Sequence, residues 1–508
     1  MTEVLLTIVF LLALAACDPA SETPTATTPI GTPTAGQPAP TSTPTIELPT
    51  PTPTPTCELP PPVDLPTPAD ATLDALAGDT VTLNAVDTLW FASGTEMVWS
   101  RPVLAAADLT YSSALPATLT RVSPSSAEVN LPSAGVFRFQ AEIGDKTYLV
   151  DVRVTKEPAN NLAVRAVFMT DLFERLGGPA FMLRRDDPAC QAMVFNQAFA
   201  AVRDTGANWV GLHPAVFLTQ MDPLPKYVPH NNDLSLTDDA YYAQMVAAAK
   251  ANGLGVIHAE QDGPYFDLPE GQWELRHQFA ADPVWMEAWL DELRAWVLPR
   301  AARAEAAGVG MYVLFNPANF TFQEGNGYDR LWRELIAQVR EVYSGDVGVT
   351  LELGADGRFT FADAVDFAIF GADATYFPGH FDDPNNPPFD EMVAVIEEHI
   401  SRSKPFVEGK TKAYHSFGAT SSNGREGSEA QSERATFLTD FQEQALYYEA
   451  VFLALEAHPW IEGASFGTLD WFAQYRRSPE NWYYDSTNQG STRSKPTKEA
   501  LRLWFGMY

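Results

Sequence analysis

Val309-Gly310-Met311-Tyr312-Val313-Leu314-Phe315-Asn316 is an apolar octet that closes on an amide side chain. A helical pattern follows it. Leu331, Trp332, Leu335, Ile336, Val339 and Val342 share one face of a helix over Tyr328–Tyr343. A second apolar run, Val347–Leu353 (VGVTLEL), comes next. Apolar strand, helix, apolar strand is the signature of parallel strands covered on both faces. Upstream the same unit recurs at Val164–Thr170, Asn208–His213 (NWVGLH) and Gly255–Glu260 (GVIHAE), the last after a helix over Tyr241–Lys250 that stops at Asn252-Gly253. Downstream it recurs at Ala372–Phe377, Pro405–Gly409 (PFVEG) and Gly463–Leu469. Eight such units within residues 157–508 predict an α/β fold, a (β/α)8 TIM barrel. A doubly wound open sheet is the alternative, but no Gly-x-Gly-x-x-Gly or P-loop follows the first strand.

Residues 69–156 have a different rhythm. Short alternating runs, Thr80–Leu83, Ala127–Leu131, Val136–Phe139 and Tyr148–Val154, are broken by Gly, Pro and Ser. Period-two alternation predicts antiparallel strands, and the length suits an immunoglobulin-like β-sandwich. Its expected job is spacing or presentation. Trp90 and Trp99 are either core residues or rings for a sugar to stack on.

Residues 18–68 hold 16 of the 40 prolines and 14 threonines. Proline fixes φ and removes amide donors, so this segment is expected to be a disordered Pro/Thr linker, extended and semi-rigid. Before it, Val4–Ala16 is an apolar run of signal-peptide length, and Leu14-Ala15-Ala16-Cys17 resembles a bacterial lipobox. The resemblance implies that residues 1–17 are a lipoprotein signal, with cleavage before Cys17 and acylation of its sulfur. The protein is then expected at the cell surface or outside the cell, held to the bacterial membrane by lipid. Of the three cysteines, Cys57 lies in the linker, and no structural disulfide with Cys190 is expected.

The charge excludes some partners. With 33 Lys+Arg against 65 Asp+Glu, the net charge of −32 repels phosphate backbones, so no nucleic-acid partner is expected. It also disfavours a basic-patch hold on anionic lipid. No Cys/His spacing calls for a metal, and no cofactor is expected.

In a barrel of this kind the chemistry sits where the strands end. The polar residues and rings there are Asp171, His213, His258, Glu260, Asn316, Asn319, Glu352, Tyr376, His380, Glu408, Asp470 and Trp471. Carboxylates, amides and rings converging on one cleft suit the hydrolysis of glycosidic bonds. That reaction needs one protonated carboxyl to assist the leaving oxygen and one ionised carboxylate to attack or to activate water. His213, Asn316, Asn319 and Tyr376 are candidate sugar hydrogen-bond partners, and Trp471 is a candidate stacking platform.

Several segments resemble a known family. Thr205-Gly206-Ala207-Asn208-Trp209-Val210, Lys404-Pro405-Phe406-Val407-Glu408, Gly463 to Trp471, and Lys495-Pro496 with Leu501 to Phe505 are similar, in order and spacing, to retaining glycoside hydrolases of clan A, the β-mannanase-like type. The resemblance spans residues 161–508. It implies a hydrolase of β-linked glycans, exported and lipid-anchored by the lipobox above, with a polysaccharide or oligosaccharide as substrate and Glu408 as nucleophile ending the seventh strand. It also implies an acid/base glutamate at the end of strand four. Here that strand ends Phe315-Asn316-Pro317-Ala318-Asn319, with no carboxylate before Glu324. Three readings remain open. Glu260, Glu352 or Glu324 supplies the acid; or the enzyme inverts, with carboxyls roughly 6.5–9.5 Å apart rather than about 5–5.5 Å; or the barrel has lost catalysis and binds glycan on the cell surface.

Overall fold

The computed structural model describes residues 69–84, 98–104, 110–123, 126–143, 146–169, 188–229, 238–264, 278–279, 281–314, 328–351, 360–371, 387–418, 440–467, 469 and 495–508. Two small sheets come first. One has β1 (Ala71–Leu76), β7 (Lys146–Thr155), β6 (Gly135–Ile143) and β3 (Val98–Ser100) in that order; the other has β2 (Thr80–Asn84), β5 (Ser126–Asn130) and β4 (Thr118–Ser123). Only β1 and β7 run parallel. Leu83, Ala127, Val129, Phe137, Phe139, Val150, Val152 and Val154 form their common core, and Trp99 packs into it. Trp99 is therefore a core ring, not an exposed platform; Trp90 lies outside the described residues.

Eight parallel strands close a barrel: β8 (Val164–Met169), β9 (Trp209–Leu212), β12 (Gly255–Ala259), β14 (Met311–Leu314), β15 (Asp346–Leu351), β16 (Phe367–Gly371), β17 (Lys412–Phe417) and β18 (Gly463–Phe466), with β18 pairing back onto β8. Around it run α1 (Pro188–Arg203), α2 (Asp239–Ala251), α3 (Pro283–Ala307), α4 (Tyr328–Val342), α5 (Phe389–Val407), α6 (Phe441–Glu456) and α7 (Thr497–Met507). A three-stranded sheet of β11 (Lys226–Pro229), β10 (Ala215–Gln220) and β13 (Gln261–Pro264) follows the second and third barrel strands. Local chemistry sets the helix ends. Asp238 caps α2 by accepting from the amides of Ala240 and Tyr241, and Gly308, at φ 73°, ends α3 in the left-handed conformation that a side chain would strain. Among the described residues no helix is long and apolar enough to cross a membrane.

Two strands lie elsewhere than the sequence predicts. The sixth is Phe367–Gly371, ahead of Ala372–Phe377: Phe367-Ala368-Ile369-Phe370 is buried on both faces, which is what a parallel strand requires. The seventh is Lys412–Phe417, not Pro405–Gly409. The PFVEG run is the end of α5 instead. Met392, Ile396, Ile400, Ser403 and Val407 carry one buried helical stripe through to Val407, and Gly409, at φ 72°, ends it. Cys190, at the start of α1, is disulfide-bonded, contrary to expectation; both other cysteines lie outside the described residues.

The N-terminal sheets do not stand apart from the barrel. Glu449 of α6 is fully buried and accepts from Ser113 Oγ and from the Ala114 amide at 3.1 Å. Gln442 donates to the Thr110 carbonyl, Lys156 pairs with Glu456, and Tyr111 and Val136 pack on Ala445 and Ala500.

Candidate active site

Side chains alternate across each barrel strand, so each candidate either faces the cavity or faces the helices. The inner layer is defined by Val164, Ala166, Phe168, Ile257, Ala259, Met311, Val313, Phe367, Ile369 and Tyr414, with Trp209 against it. The outer layer contains Val210, Leu212, Val256, Tyr312, Leu314, Val347, Val349, Ala413, Phe417, Ala464 and Phe466, packed on the helices.

Ile257 and Ala259 point inward, so His258 and Glu260 point outward, into a closed polar cluster. Arg300 of α3 pairs with Glu260 Oε2, Tyr312 donates to Oε1, and His258 Nε2 lies 3.0 Å from the same oxygen. Tyr242 of α2 completes the chain, with its hydroxyl 2.7 Å from His258 Nδ1. An ionised carboxylate only accepts, so Nε2 carries the imidazole proton and Nδ1 accepts from Tyr242. Burial is the largest influence on His258 and keeps the ring below its usual pKa, hence neutral, despite Glu260. Burial also opposes ionisation of Glu260, yet Arg300, His258 and Tyr312 together hold its carboxyl below the usual range. Every oxygen of Glu260 is engaged and its side chain has no exposed surface. It cannot reach a substrate, and the expected catalytic role is corrected to a structural one. Arg300 also donates to the Pro214 carbonyl at 3.4 Å, which links the ends of the second and third strands.

Glu408 is likewise misplaced for catalysis. It caps α5 four residues before β17 begins, at the amino-terminal face of the barrel, and its half-exposed carboxylate pairs with Lys404 at 3.3 Å. The nucleophile role is therefore withdrawn. The helix stop at Gly409 is the signal that separates the two readings.

His213 does lie at the carboxyl end, just after β9. Its ring meets Phe168 edge-on at 4.2 Å, and Phe168 covers Gly211, where any Cβ would stand 2.0 Å from the ring. Glu352, Asn316, Asn319, Tyr376, Trp471 and Cys17 lie outside the described residues, as do Asp171, Glu324, His380 and Asp470. Glu352 directly follows Leu351, the last residue of β15.

The corrected seventh strand exposes residues that the sequence reading missed. Tyr414 faces inward, so Ser416 does too. In register, Ser416 pairs with Gly371 on one side and Ser465 on the other, and Ser465 pairs with Ala166. Strands six, seven, eight and one thus present Gly, Ser, Ser and Ala to the upper cavity, followed by Gly418 and Gly467 on strands seven and eight. Among the described residues, no atom lies within 4 Å of a Cβ placed on Gly371 or Gly467. Beside this row, Phe168 of strand one covers Gly211 and Trp209 of strand two covers Gly255. Among the described residues, no His, Cys, Asp or Glu cluster could hold a metal ion.

A closed eight-stranded parallel barrel with helices outside defines the class of (β/α)8-barrel proteins. A family model described as Glycoside Hydrolase Family 113 matches residues 189–487, more than half of the chain. The chain belongs to Glycoside Hydrolase Family 113, which bears out the resemblance read from the sequence. Among solved structures it is similar to the GH113 β-mannanase AaManA from Alicyclobacillus acidocaldarius in complex with ManMIm, at 19% identity over 68% of this chain and 97% of that one, TM-score 0.49. It is similar to a GH113 β-1,4-mannanase at 16% identity over 68% and 99%, TM-score 0.48. A β-glucuronidase from Faecalibacterium prausnitzii is 14% identical over 75% of this chain and 58% of that one, TM-score 0.43. No curated protein matches the chain.

Proposed function

We propose that this protein is an exported, lipid-anchored glycoside hydrolase that cleaves β-linked glycans at the carboxyl face of its barrel. The observation that carries the reading is the family match, which runs from α1 across seven of the eight barrel strands and the segments between them. Residues 69–156 are an immunoglobulin-like sandwich that holds this barrel beyond a Pro/Thr linker, and Cys17 bears the lipid. With Glu408 and Glu260 removed from the cleft, the hydrolytic carboxylates belong to segments that follow the strands. Glu352, next to the end of β15, is the first candidate; Asn316, Asn319, Tyr376, His213 and Trp471 are the sugar-facing partners. The full chain should release reducing sugar from at least one β-linked polysaccharide in a panel, and Glu352→Gln should remove that release while Glu408→Gln keeps it. Detergent partitioning of the expressed chain, lost in Cys17→Ser, tests the anchor.

A second reading is favoured by the end of strand seven. A retaining hydrolase of the implied type needs a carboxylate there, and the last inward residue of β17 is Ser416. On that reading the barrel holds β-linked glycan without cutting it. Tight oligosaccharide binding with no product from any substrate would select it.

A further inference from the structure

The chain has three cysteines, Cys17, Cys57 and Cys190. Cys190 is disulfide-bonded. The structure holds a single chain, so the bond is internal to it and the partner is Cys17 or Cys57. On the lipid-anchored reading above, the Cys17 sulfur is taken up in a thioether and cannot pair, which leaves Cys57.

The place of Cys190 gives this bond a consequence. Cys190 is buried in the first turn of α1. The barrel strands run toward the carboxyl face and the helices run back, so the first turn of the helix after β8 lies at that face. The N-terminal sheets rest close by. Tyr111 and Val136 pack on Ala445 of α6 and Ala500 of α7. Asp204, just past α1, pairs with Lys498 and Arg502 of α7, so α1 and α7 are neighbours. Neighbouring helices stand about 10 Å apart. The stretch from Cys57 to Ala71, where β1 begins, reaches about 45 Å when extended, ample to pass from the sheets over α7 to α1.

From a disulfide-bonded Cys190 in the first turn of α1 and one cysteine left to pair with it, we infer that Cys57 and Cys190 form an internal disulfide that pins the Pro/Thr linker to the carboxyl face of the barrel. The choice of Cys57 over Cys17 rests on the lipid-anchored reading. The two thiols pass two electrons and two protons to a protein disulfide of the exported oxidising kind, which is reduced to a dithiol as the S–S bond forms. The bond closes a loop that contains both N-terminal sheets, and the free tether shortens from residues 18–68 to residues 18–56. The tether then reaches the barrel directly as well as through the sheets, and it does so at the face where a barrel of this class carries its chemistry.

Peptide mapping of the full chain, exported and purified with free thiols blocked, tests the pin. No Lys or Arg precedes Arg101, so trypsin leaves Cys17 and Cys57 on one peptide. Cleavage after glutamate separates them at Glu22 and Glu47, and puts Cys57 on residues 48–58 and Cys190 on residues 175–260. These two peptides should come from the monomer as one mass without reductant and as two after dithiothreitol. Cys57→Ser should leave the Cys190 thiol open to alkylation in denaturant. A free Cys190 in the wild type, a Cys190 joined to a second chain, or a Cys190 still blocked in Cys57→Ser overturns the pin. A Cys17–Cys190 peptide overturns the pin and the lipid on Cys17 together. No glycan enters these readouts, so the hydrolase reading is judged separately.

Discussion

The two faces of the barrel wall carry different kinds of polar group. Behind the third strand, Arg300, His258 and Tyr312 engage both oxygens of Glu260 and Tyr242 reaches His258, sealing a charge pair in the layer between sheet and helices, while Arg300 Nε and Nη1 meet no partner among the described residues. Inside the seventh and eighth strands, Ser416 and Ser465 carry no charge, and the Ser465 hydroxyl meets no partner among the described residues. Glu260, one of the carboxylates expected to be catalytic, is fully engaged on the outer face, and the modest Ser465 hydroxyl is on the inner one. Which face a side chain takes decides its role more than its chemical type does.

That contrast can be broken first from the outer face. Removing Arg300 leaves Glu260 buried with its main counter-charge gone, and breaking such a pair costs about 3–5 kcal/mol. Arg300→Met should lower the unfolding free energy by that amount, measured by urea titration, whereas the double variant Arg300→Met/Glu260→Gln should recover part of it. An Arg300→Met variant of wild-type stability would show that the outer cluster is not a sealed pair.

Acid provides the next effect. Burial holds His415, behind the seventh strand, down at about 4 and His399 at about 3. The unfolded chain takes up these protons near 6.5, and the folded chain does so only at lower pH. Stability is therefore full above pH 6.5 and falls between 6.5 and 4, by on the order of 3 kcal/mol for His415. Urea titrations across that interval should show the loss, and His415→Gln should flatten it.

At the junction with the N-terminal sheets the sign reverses. Burial pushes the Glu449 carboxyl up despite its bonds to Ser113 and Ala114. The folded form then holds a proton that the unfolded form has lost, so this site weakens as pH rises above the ordinary carboxylate range. Glu449→Gln should remove that dependence in the same titrations.

The smallest effect belongs to Glu408. Its exposed pair with Lys404 is worth about 0.5 kcal/mol at most. Glu408→Gln should change neither stability nor glycan turnover measurably. A large loss of turnover would return the nucleophile to this residue.

Much of the barrel was legible because its strands are apolar on both faces and sit between helices. The two N-terminal sheets were legible because their strands alternate. Strand seven was missed because Pro405-Phe406-Val407 reads equally well as a strand or as the last turn of α5, and only Gly409 separates the two. The outward turn of Glu260 was hidden for a related reason. In Gly255-Val256-Ile257-His258-Ala259 both faces are apolar, so alternation gives no direction until Ile257 is seen packing inside. His213 was legible because it directly follows its strand. Ser416 and Ser465 carried no signal, since their meaning depends on a register across three strands distant in sequence.

A crystal structure of the full chain with a bound neutral β-1,4-hexaose bears most directly on the division between the two faces. We expect the sugar at the carboxyl face of the barrel and none near Glu260 or Glu408. A glycan held at the amino-terminal face beside Glu408 would contradict it.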